Sequence, residues 1–175
     1  MKKPVVFIDQ LAGLNPERFG VRIQEEFSYW SWRACAIANV AMVLATEGLL
    51  KETLYDLVCE ALLMDGYAYK NRHGVLDVGW KHKVLCKLLE ARGLKARALS
   101  RCNLREAQKL LEEGKYVILS VKSESGGHMV LVKDISEEGV TYNDPYCFGG
   151  YGGEDVSELL TSFKKKFLGK GLAGW

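Results

Sequence analysis

The sequence predicts an α+β fold in which a helical N-terminal part packs on a C-terminal antiparallel sheet. Apolar residues recur at helical spacing through residue 113. From residue 116 to 143 the chain instead shows runs of β-branched and aromatic residues separated by short turns. Helices followed by hairpin-linked strands are typical of α+β proteins, whereas a doubly wound parallel sheet alternates strands with helices.

The length of 175 residues fits one domain of ordinary size, so we predict a single domain over residues 1–175. A hydrophobic content of 48% is that of a globular protein. Lys plus Arg number 24 and Asp plus Glu number 22, which leaves a net charge of +2. This balance argues against a dedicated nucleic-acid binder, which normally carries a strong basic excess.

The cysteine count points to a reducing compartment. The five cysteines are an odd number, and none forms a C-x-x-C pair, which excludes a zinc ribbon and a thioredoxin motif. The chain also shows no secretory signal and no run of about 18 apolar residues. We therefore expect a cytoplasmic protein with no membrane segment.

Four helices are predicted before the sheet. Residues 33–44 are apolar on nearly every side and rich in alanine, which indicates a buried helix, and Gly48 is its expected stop. In the last of the four, Asn103 is the expected N-cap and Glu106 stands at the capping-box position. The three amphipathic helices are predicted over residues 53–64, 80–92 and 103–113.

The strands are predicted from β-branched and aromatic content and from the turns between them. Residues 136–139 are the expected hairpin loop between the last two strands. The predicted strands are residues 116–122, 128–135 and 140–143, with residues 95–99 as a further candidate and residues 5–8 as a short strand or extended arm.

Three residues are candidates for chemistry: a cysteine, a histidine and an aspartate. Cys35 lies at the start of the buried helix, where the partial positive charge favours a thiolate and the first-turn amides can hold an oxyanion. His128 begins a strand after a double glycine, and Asp144 ends the next strand. Asp144 would orient the imidazole, and His128 would activate Cys35 and then protonate the leaving group.

The hairpin spacing decides whether His128 and Asp144 meet. Their separation of 16 residues (144 − 128) returns both to the same end of the sheet. A two-residue turn at residues 137–138 would place Asp144 opposite Leu131, three positions from ideal. A wider or bulged connection is therefore needed to bring the two side chains together.

Structural roles compete with each of these assignments. A cysteine in an alanine-rich helix is commonly a small core residue, a histidine at a strand start commonly lies at the surface, and Asp-Pro is a turn signal. A metal site from Cys35, His128 and Cys147 has no local pair of ligands, so we expect no metal and no cofactor. Cys59 and Cys86 are predicted core residues.

The order of these motifs resembles the papain-like cysteine peptidases, and most closely the bacteriocin double-glycine leader peptidases and their stand-alone relatives. The likeness runs over nearly the whole chain, and the motifs are individually short. It rests on Trp30-Ser31-Trp32-Arg33-Ala34-Cys35, Ala41-Met42-Val43-Leu44 with Gly48, Gly127-His128-Met129-Val130-Leu131-Val132 and Asn143-Asp144-Pro145.

The resemblance implies a papain-like fold and a thiol-dependent peptide or amide hydrolase with a triad of Cys35, His128 and Asp144. It implies a peptide or protein substrate, with no nucleic acid. The family's oxyanion glutamine corresponds best to Gln10, behind an opening strand, and Gln24 is the competitor. The expected cleft between the helices and the sheet is lined by Tyr29, Trp30, Trp32 and Tyr146.

Two departures from the family keep other functions open. Ala36 follows the nucleophile where the family usually has glycine, and no glutamine stands six residues before Cys35. These features favour a catalytically weak or inactive peptide-binding module. A related acyl-transfer or amidase reaction would use the same three residues. Among other features, His73 and His82 are predicted at the surface, and residues 149–153 as a flexible lip beside the site.

Overall fold

A computed structural model of the chain describes residues 3–70, 74, 76–123, 126–148 and 151–175. The helices are α1 (Pro16–Phe19), α2 (Gln24–Trp30), α3 (Cys35–Thr46), α4 (Leu54–Leu63), α5 (His82–Glu90), α6 (Leu104–Glu112) and α7 (Leu160–Lys166). The strands are β1 (Tyr67–Lys70), β2 (Leu76–Trp80), β3 (Ala96–Ser100), β4 (Tyr116–Ser123), β5 (Gly126–Ile135), β6 (Gly139–Phe148), β7 (Tyr151–Leu159) and β8 (Phe167–Gly174).

Helix α3 is buried along almost its whole length, as its all-round apolar sequence predicts. It contacts α4, α5, β5 and β6. The helix begins at Cys35, two residues later than predicted, because Ser31–Arg33 form a separate 3₁₀ turn. It ends at Thr46, and Gly48 then takes the left-handed conformation at φ +73° that a helix stop uses.

The outer helices begin where capping side chains place them. Thr53 and Asp56 exchange the two hydrogen bonds of a capping box at α4. At α6 the side chain of Asn103 accepts from the Glu106 N–H, which confirms the predicted N-cap. Helix α5 begins at residue 82 and not at 80, because the preceding residues form β2, which pairs antiparallel with β1.

Six strands form one antiparallel sheet in the order β3-β8-β4-β5-β6-β7. The predicted strands over residues 95–99, 116–122, 128–135 and 140–143 correspond to β3, β4, β5 and β6. Strands β7 and β8 were not predicted, and β8 lies between β3 and β4. Residues 5–8 form an extended arm without strand pairing, and the N–H of Val6 donates to Thr46.

The sheet separates two hydrophobic cores. One core lies between a sheet face and the helices of the N-terminal half, and includes Met42, Leu131 and Leu172. The other lies on the opposite face under α6 and α7, and includes Val130 and Phe163. In the part of the chain that the structure describes, no helix is long and apolar enough to cross a bilayer.

Candidate active site

The thiol of Cys35 stands on the first residue of α3 and is partly buried. The first amides of a helix have no acceptor within the helix, and they point toward its N-terminal end together with the positive end of the dipole. Ala34, just ahead, provides no side-chain cap. Cys35 therefore occupies a position that can stabilise both a thiolate and an oxyanion.

His128 lies between Cys35 and Asp144. Its Nε2 is 2.6 Å from Oδ1 of Asp144, and Cys35 lies close enough to the same ring to raise its pKa. Because Nε2 faces the carboxylate, Nδ1 is the ring nitrogen that can face the thiol. The N–H of Tyr146 also donates to Oδ1 of Asp144 at 2.9 Å, which fixes the carboxylate. The three predicted residues are thus brought together in the order of a triad.

A β-bulge sets the register that allows this meeting. The pairing of β5 with β6 shifts by one residue immediately before Asp134, so that Asn143, and not Asp144, pairs with Leu131. Successive side chains of a strand point to opposite faces, so a one-residue shift moves Asp144 to the same side as His128. The bulge that the spacing of His128 and Asp144 requires is therefore present, but it lies within β5 and not in the loop between β5 and β6.

The electrostatic environment of His128 favours its charged form. Burial alone disfavours the imidazolium, but the neighbouring Cys35 and Asp144 outweigh burial and raise the pKa of His128 to about 10. The ring is mostly buried, so solvent screens these interactions weakly. A positively charged His128 is the partner that a thiolate at Cys35 requires.

Gln10 lies beside this triad. Its side chain is 2% exposed, its Nε2 donates to the carbonyl of Ser31 at 3.0 Å, and its backbone N–H donates to the carbonyl of Pro145 at 2.8 Å. It therefore joins the turn before the nucleophile to the residue after Asp144. The competitor, Gln24, is exposed on α2 and donates to Ser28 of the same helix.

Two of the predicted cleft aromatics form an exposed cluster next to the site. Trp32 is 49% exposed, and its ring centroid lies 5.7 Å from that of Tyr146. Phe148 joins them, 5.9 Å from the ring of Trp32. Sequence reasoning missed Phe148; its position two residues after Tyr146, on the same side of a strand, was the available signal.

The other two predicted cleft aromatics have different roles. Trp30 is buried at 9% exposure and packs against Tyr67 and Trp80, so it belongs to the core and not to a cleft wall. It stands three residues after Phe27 on α2, and residues at that spacing share one helix face. Tyr29 is exposed, with the Arg33 guanidinium 3.9 Å from its ring centre.

Arg33 links the paired strands β1 and β2 to the segment that precedes Cys35. Its Nε and Nη2 donate to the two carboxylate oxygens of Asp77 at 3.2 and 2.7 Å. This pairing lowers the pKa of Asp77 below its usual range. The indole N–H of Trp80 donates to the Arg33 carbonyl at 2.7 Å. Arg33, two residues before Cys35, is therefore held through both its side chain and its backbone carbonyl.

The remaining cysteines occupy other environments. Cys86 on α5 is buried, as predicted, and Cys59 on α4 is partly buried. Burial raises the pKa of Cys86 and of Cys102 to about 11, so both stay protonated thiols near neutral pH. Cys147 is exposed on β6, three residues after Asp144.

His82 corrects one prediction from the sequence. It was expected at the surface, but it is partly buried, and its Nε2 lies 3.0 Å from the hydroxyl of Ser120. Burial, together with the positive charge of Lys170, lowers the pKa of His82. His73, and residues 149–150 of the predicted lip, lie outside the described residues.

Solved structures match this architecture. A protein described as a C39-like peptidase from Bacillus anthracis superposes with a TM-score of 0.65 at 17% identity, over 99% of this chain and 95% of its own. This is the C39 peptidase fold. The resemblance read from the sequence, and the papain-like α+β class, are thereby confirmed.

Two further structures share the C39 fold. A double glycine motif protease from an AMS/PCAT transporter, in complex with the leader peptide, gives a TM-score of 0.55 at 21% identity, over 80% of this chain and 82% of its own. The peptidase domain of Streptococcus ComA gives 0.53 at 15% identity, over 82% and 90%. No family model and no curated protein sequence matches the chain.

Proposed function

We propose that this protein is a cysteine peptidase that hydrolyses a peptide or amide bond through Cys35, His128 and Asp144. The observation that carries the proposal is the position of His128, with Asp144 at 2.6 Å on Nε2 and the Cys35 thiol within reach of the same ring. Neighbours with the C39 fold are described as peptidases, which supports a peptidase-like hydrolase.

The reaction follows from the roles these groups can take. The Cys35 thiolate attacks the carbonyl carbon, and the first-turn amides of α3 stabilise the oxyanion. The His128 imidazolium then protonates the leaving amine, and a thioester to Cys35 remains. The neutral imidazole next takes a proton from water, whose oxygen attacks the thioester, and the thiolate and imidazolium are regenerated with release of the acid. Asp144 stabilises the imidazolium throughout.

Gln10 is our candidate for a further oxyanion donor. A primary amide has two N–H donors, and the Ser31 carbonyl takes only one of them in this structure. The other is available for an oxygen that develops negative charge near Cys35.

The substrate we propose is an extended peptide that lies along Trp32 and Tyr146. Both rings flank the triad in sequence and present an apolar surface, and Trp32 is half exposed. One neighbour with this fold is described as binding a leader peptide and as a double glycine motif protease. A peptide with two small residues at the cleavage point is therefore the first substrate to test.

The test is site-resolved alkylation combined with cleavage. Iodoacetamide is added at pH 5 to 9, and peptide mapping gives the rate at each cysteine, with exposed Cys147 as the internal reference. We expect Cys35 to react fastest below pH 7, because a thiolate–imidazolium pair persists there. Cys35→Ala should abolish cleavage of a Gly-Gly leader peptide, whereas Cys59→Ala on α4 should retain it.

A peptide-binding module without catalysis is the second candidate. Ala36 and the engagement of the Gln10 amide with Ser31 favour it. It requires that Cys35 react no faster than Cys147, and that Cys35→Ala bind peptide as the wild type does while neither cleaves it. An acyl-transfer enzyme would instead join added primary amines to the peptide through the same thioester.

A further inference from the structure

Asn39 connects the two parts of the molecule that carry the nucleophile and the base. It lies on α3, one turn after Cys35, and its side chain is fully buried. Its Nδ2 donates to the carbonyl of Cys35 at 2.8 Å and to the carbonyl of Met129 at 2.8 Å. Met129 follows His128 directly in β5, so one amide group bridges the backbone of Cys35 to the backbone of the residue next to His128.

The chemistry of these partners fixes the orientation of the Asn39 amide. Both partners are carbonyl oxygens, which only accept, so the NH₂ group must face them. The Asn39 Oδ1 is consequently buried without a hydrogen-bond partner in the described structure. A buried unpaired acceptor is destabilising, and a leucine, which has the same branching but no polar atom, would avoid it. The two donated bonds are therefore what distinguishes asparagine at this position.

Thr46, on the same helix, provides a comparison. Its hydroxyl donates to the Met42 carbonyl four residues earlier at 2.7 Å, as Asn39 donates to Cys35. Thr46 makes its other hydrogen bond with the N-terminal arm, far along the helix from the thiol. The bond across to the strand of His128 is thus particular to Asn39.

We propose that Asn39 is a positioning residue that sets the distance between the Cys35 thiol and the His128 ring. This inference rests on the proposed function, since it assigns Asn39 a part in the reactivity of that pair. The amide holds the first turn of α3 against β5, in addition to the apolar packing of the helix on the sheet. Loss of the bridge lets the thiol and imidazole separate while the core stays packed.

The experiment compares Asn39→Leu, Asn39→Thr and the control Thr46→Val. Asn39→Thr can keep the bond to the Cys35 carbonyl, because a helical threonine donates to the residue four before it, but it cannot also reach Met129. Each variant is measured for site-resolved alkylation of Cys35 at pH 6, and for the titration of His128 by NMR. Circular dichroism and thermal unfolding verify that each variant folds.

We expect both Asn39 variants to alkylate Cys35 about tenfold or more slowly at pH 6, as a small displacement of reacting groups produces. Their His128 should titrate at lower pH than in the wild type, because the thiolate is farther away. Thr46→Val should lose stability but keep the wild-type alkylation rate and titration. If Asn39 has a merely structural role, its two variants should lose stability as Thr46→Val does. Neither the alkylation rate of Cys35 nor the titration of His128 should then change.

The opposite results are equally informative. If Asn39→Leu or Asn39→Thr folds and retains the wild-type alkylation rate and His128 titration, the bridge does not position the pair, and the inference is wrong while the proposed function stands. If wild-type Cys35 alkylates like an ordinary thiol, the proposed function fails. The inference about Asn39 then fails with it, and the wild-type measurement shows which of the two was wrong.

Discussion

At the scale of single residues, the orientation of His128 determines how the site responds to pH. The carboxylate on Nε2 and the thiol near the other nitrogen both stabilise the imidazolium, and together they raise the pKa of His128 to about 10. In the proposed mechanism, the imidazolium is the acid that protonates the leaving amine. Above about pH 10 it becomes neutral, so turnover by this mechanism should fall there.

Asp144→Asn tests this assignment. The amide keeps the size of the side chain but removes the negative charge, so the pKa of His128 should fall and the alkaline limb of kcat/KM should move to lower pH. Turnover near neutral pH should drop roughly a hundredfold or more. The measurement is a pH–rate profile of peptide cleavage, with Asp155→Asn, an exposed charge on β7, as the control. An unmoved alkaline limb would contradict the role given to Asp144.

The structure brings the three predicted site residues together, whereas only Trp32 and Tyr146 of the four predicted cleft aromatics cluster beside them. Cys35, His128 and Asp144 follow from local signals: a helix start, a strand after a double glycine, and an Asp-Pro pair. The Asp-Pro pair was expected to end its strand, but the structure places it within β6, which continues to Phe148.

Whether an aromatic residue faces solvent depends on the side of the helix that it occupies. Four of the six residues over 27–32 are aromatic, so the sequence does not indicate which side faces the core. Phe27 and Trp30 face the core, and Tyr29 and Trp32 are exposed.

At the scale of elements, the β6–β7 hairpin depends on a glycine behind the triad carboxylate. Gly152 has φ +69°, and a Cβ there would overlap the Tyr146 carbonyl and lie 3.2 Å from Cγ of Asp144. Gly153, the next residue, pairs with Asp144 across the hairpin. The backbone of β7 therefore approaches the carboxylate as closely as a residue without a side chain permits.

Gly152→Ala should reduce cleavage more than it reduces the stability of the fold. The overlap must displace the strand that carries Tyr146, whose N–H holds Asp144, so cleavage should fall at least tenfold. The control is Gly48→Ala, where φ is +73° but no atom lies within 4 Å of the added Cβ. That change should cost about 1 kcal/mol in free energy of unfolding and leave cleavage intact. Equal effects of the two substitutions on cleavage would refute the argument.

Elements with strong local patterns could be predicted, and those specified by tertiary contacts could not. Helix α3 and strands β4 and β5 have unmistakable apolar patterns. Strand β8 contains three glycines and no β-branched residue. It is nevertheless a strand because it fills the space between two others, and Gly171 passes so close to Ile118 that a Cβ would overlap its carbonyl. Nothing local indicates that position.

At the scale of the whole molecule, the sheet places one hydrophobic core on the face away from the candidate site. The core under α6 and α7 lies on the face opposite the buried helix α3. Phe163 is fully buried there, with its ring centroid 5.5 Å from that of Tyr142. The triad contacts described above involve none of these side chains.

Phe163→Ala should therefore weaken the fold without changing the chemistry. Truncation of a buried phenylalanine costs about 3–5 kcal/mol in free energy of unfolding. Urea unfolding measures this loss, and the alkylation rate of Cys35 under folding conditions should stay within about twofold of the wild type. A tenfold lower alkylation rate in the folded variant would mean that the two cores are coupled through the sheet.

The interior place of β8 bears on how the chain behaves during synthesis. β3 and β4 leave the ribosome well before β8, with a gap between them that only β8 fills. Helix α3, which carries Cys35, leaves the ribosome earlier still. In a nascent chain, Cys35 therefore emerges before His128 and Asp144, and all three emerge before the sheet is complete. The six-stranded sheet that carries His128 and Asp144 can be completed only after residues 167–174 have emerged.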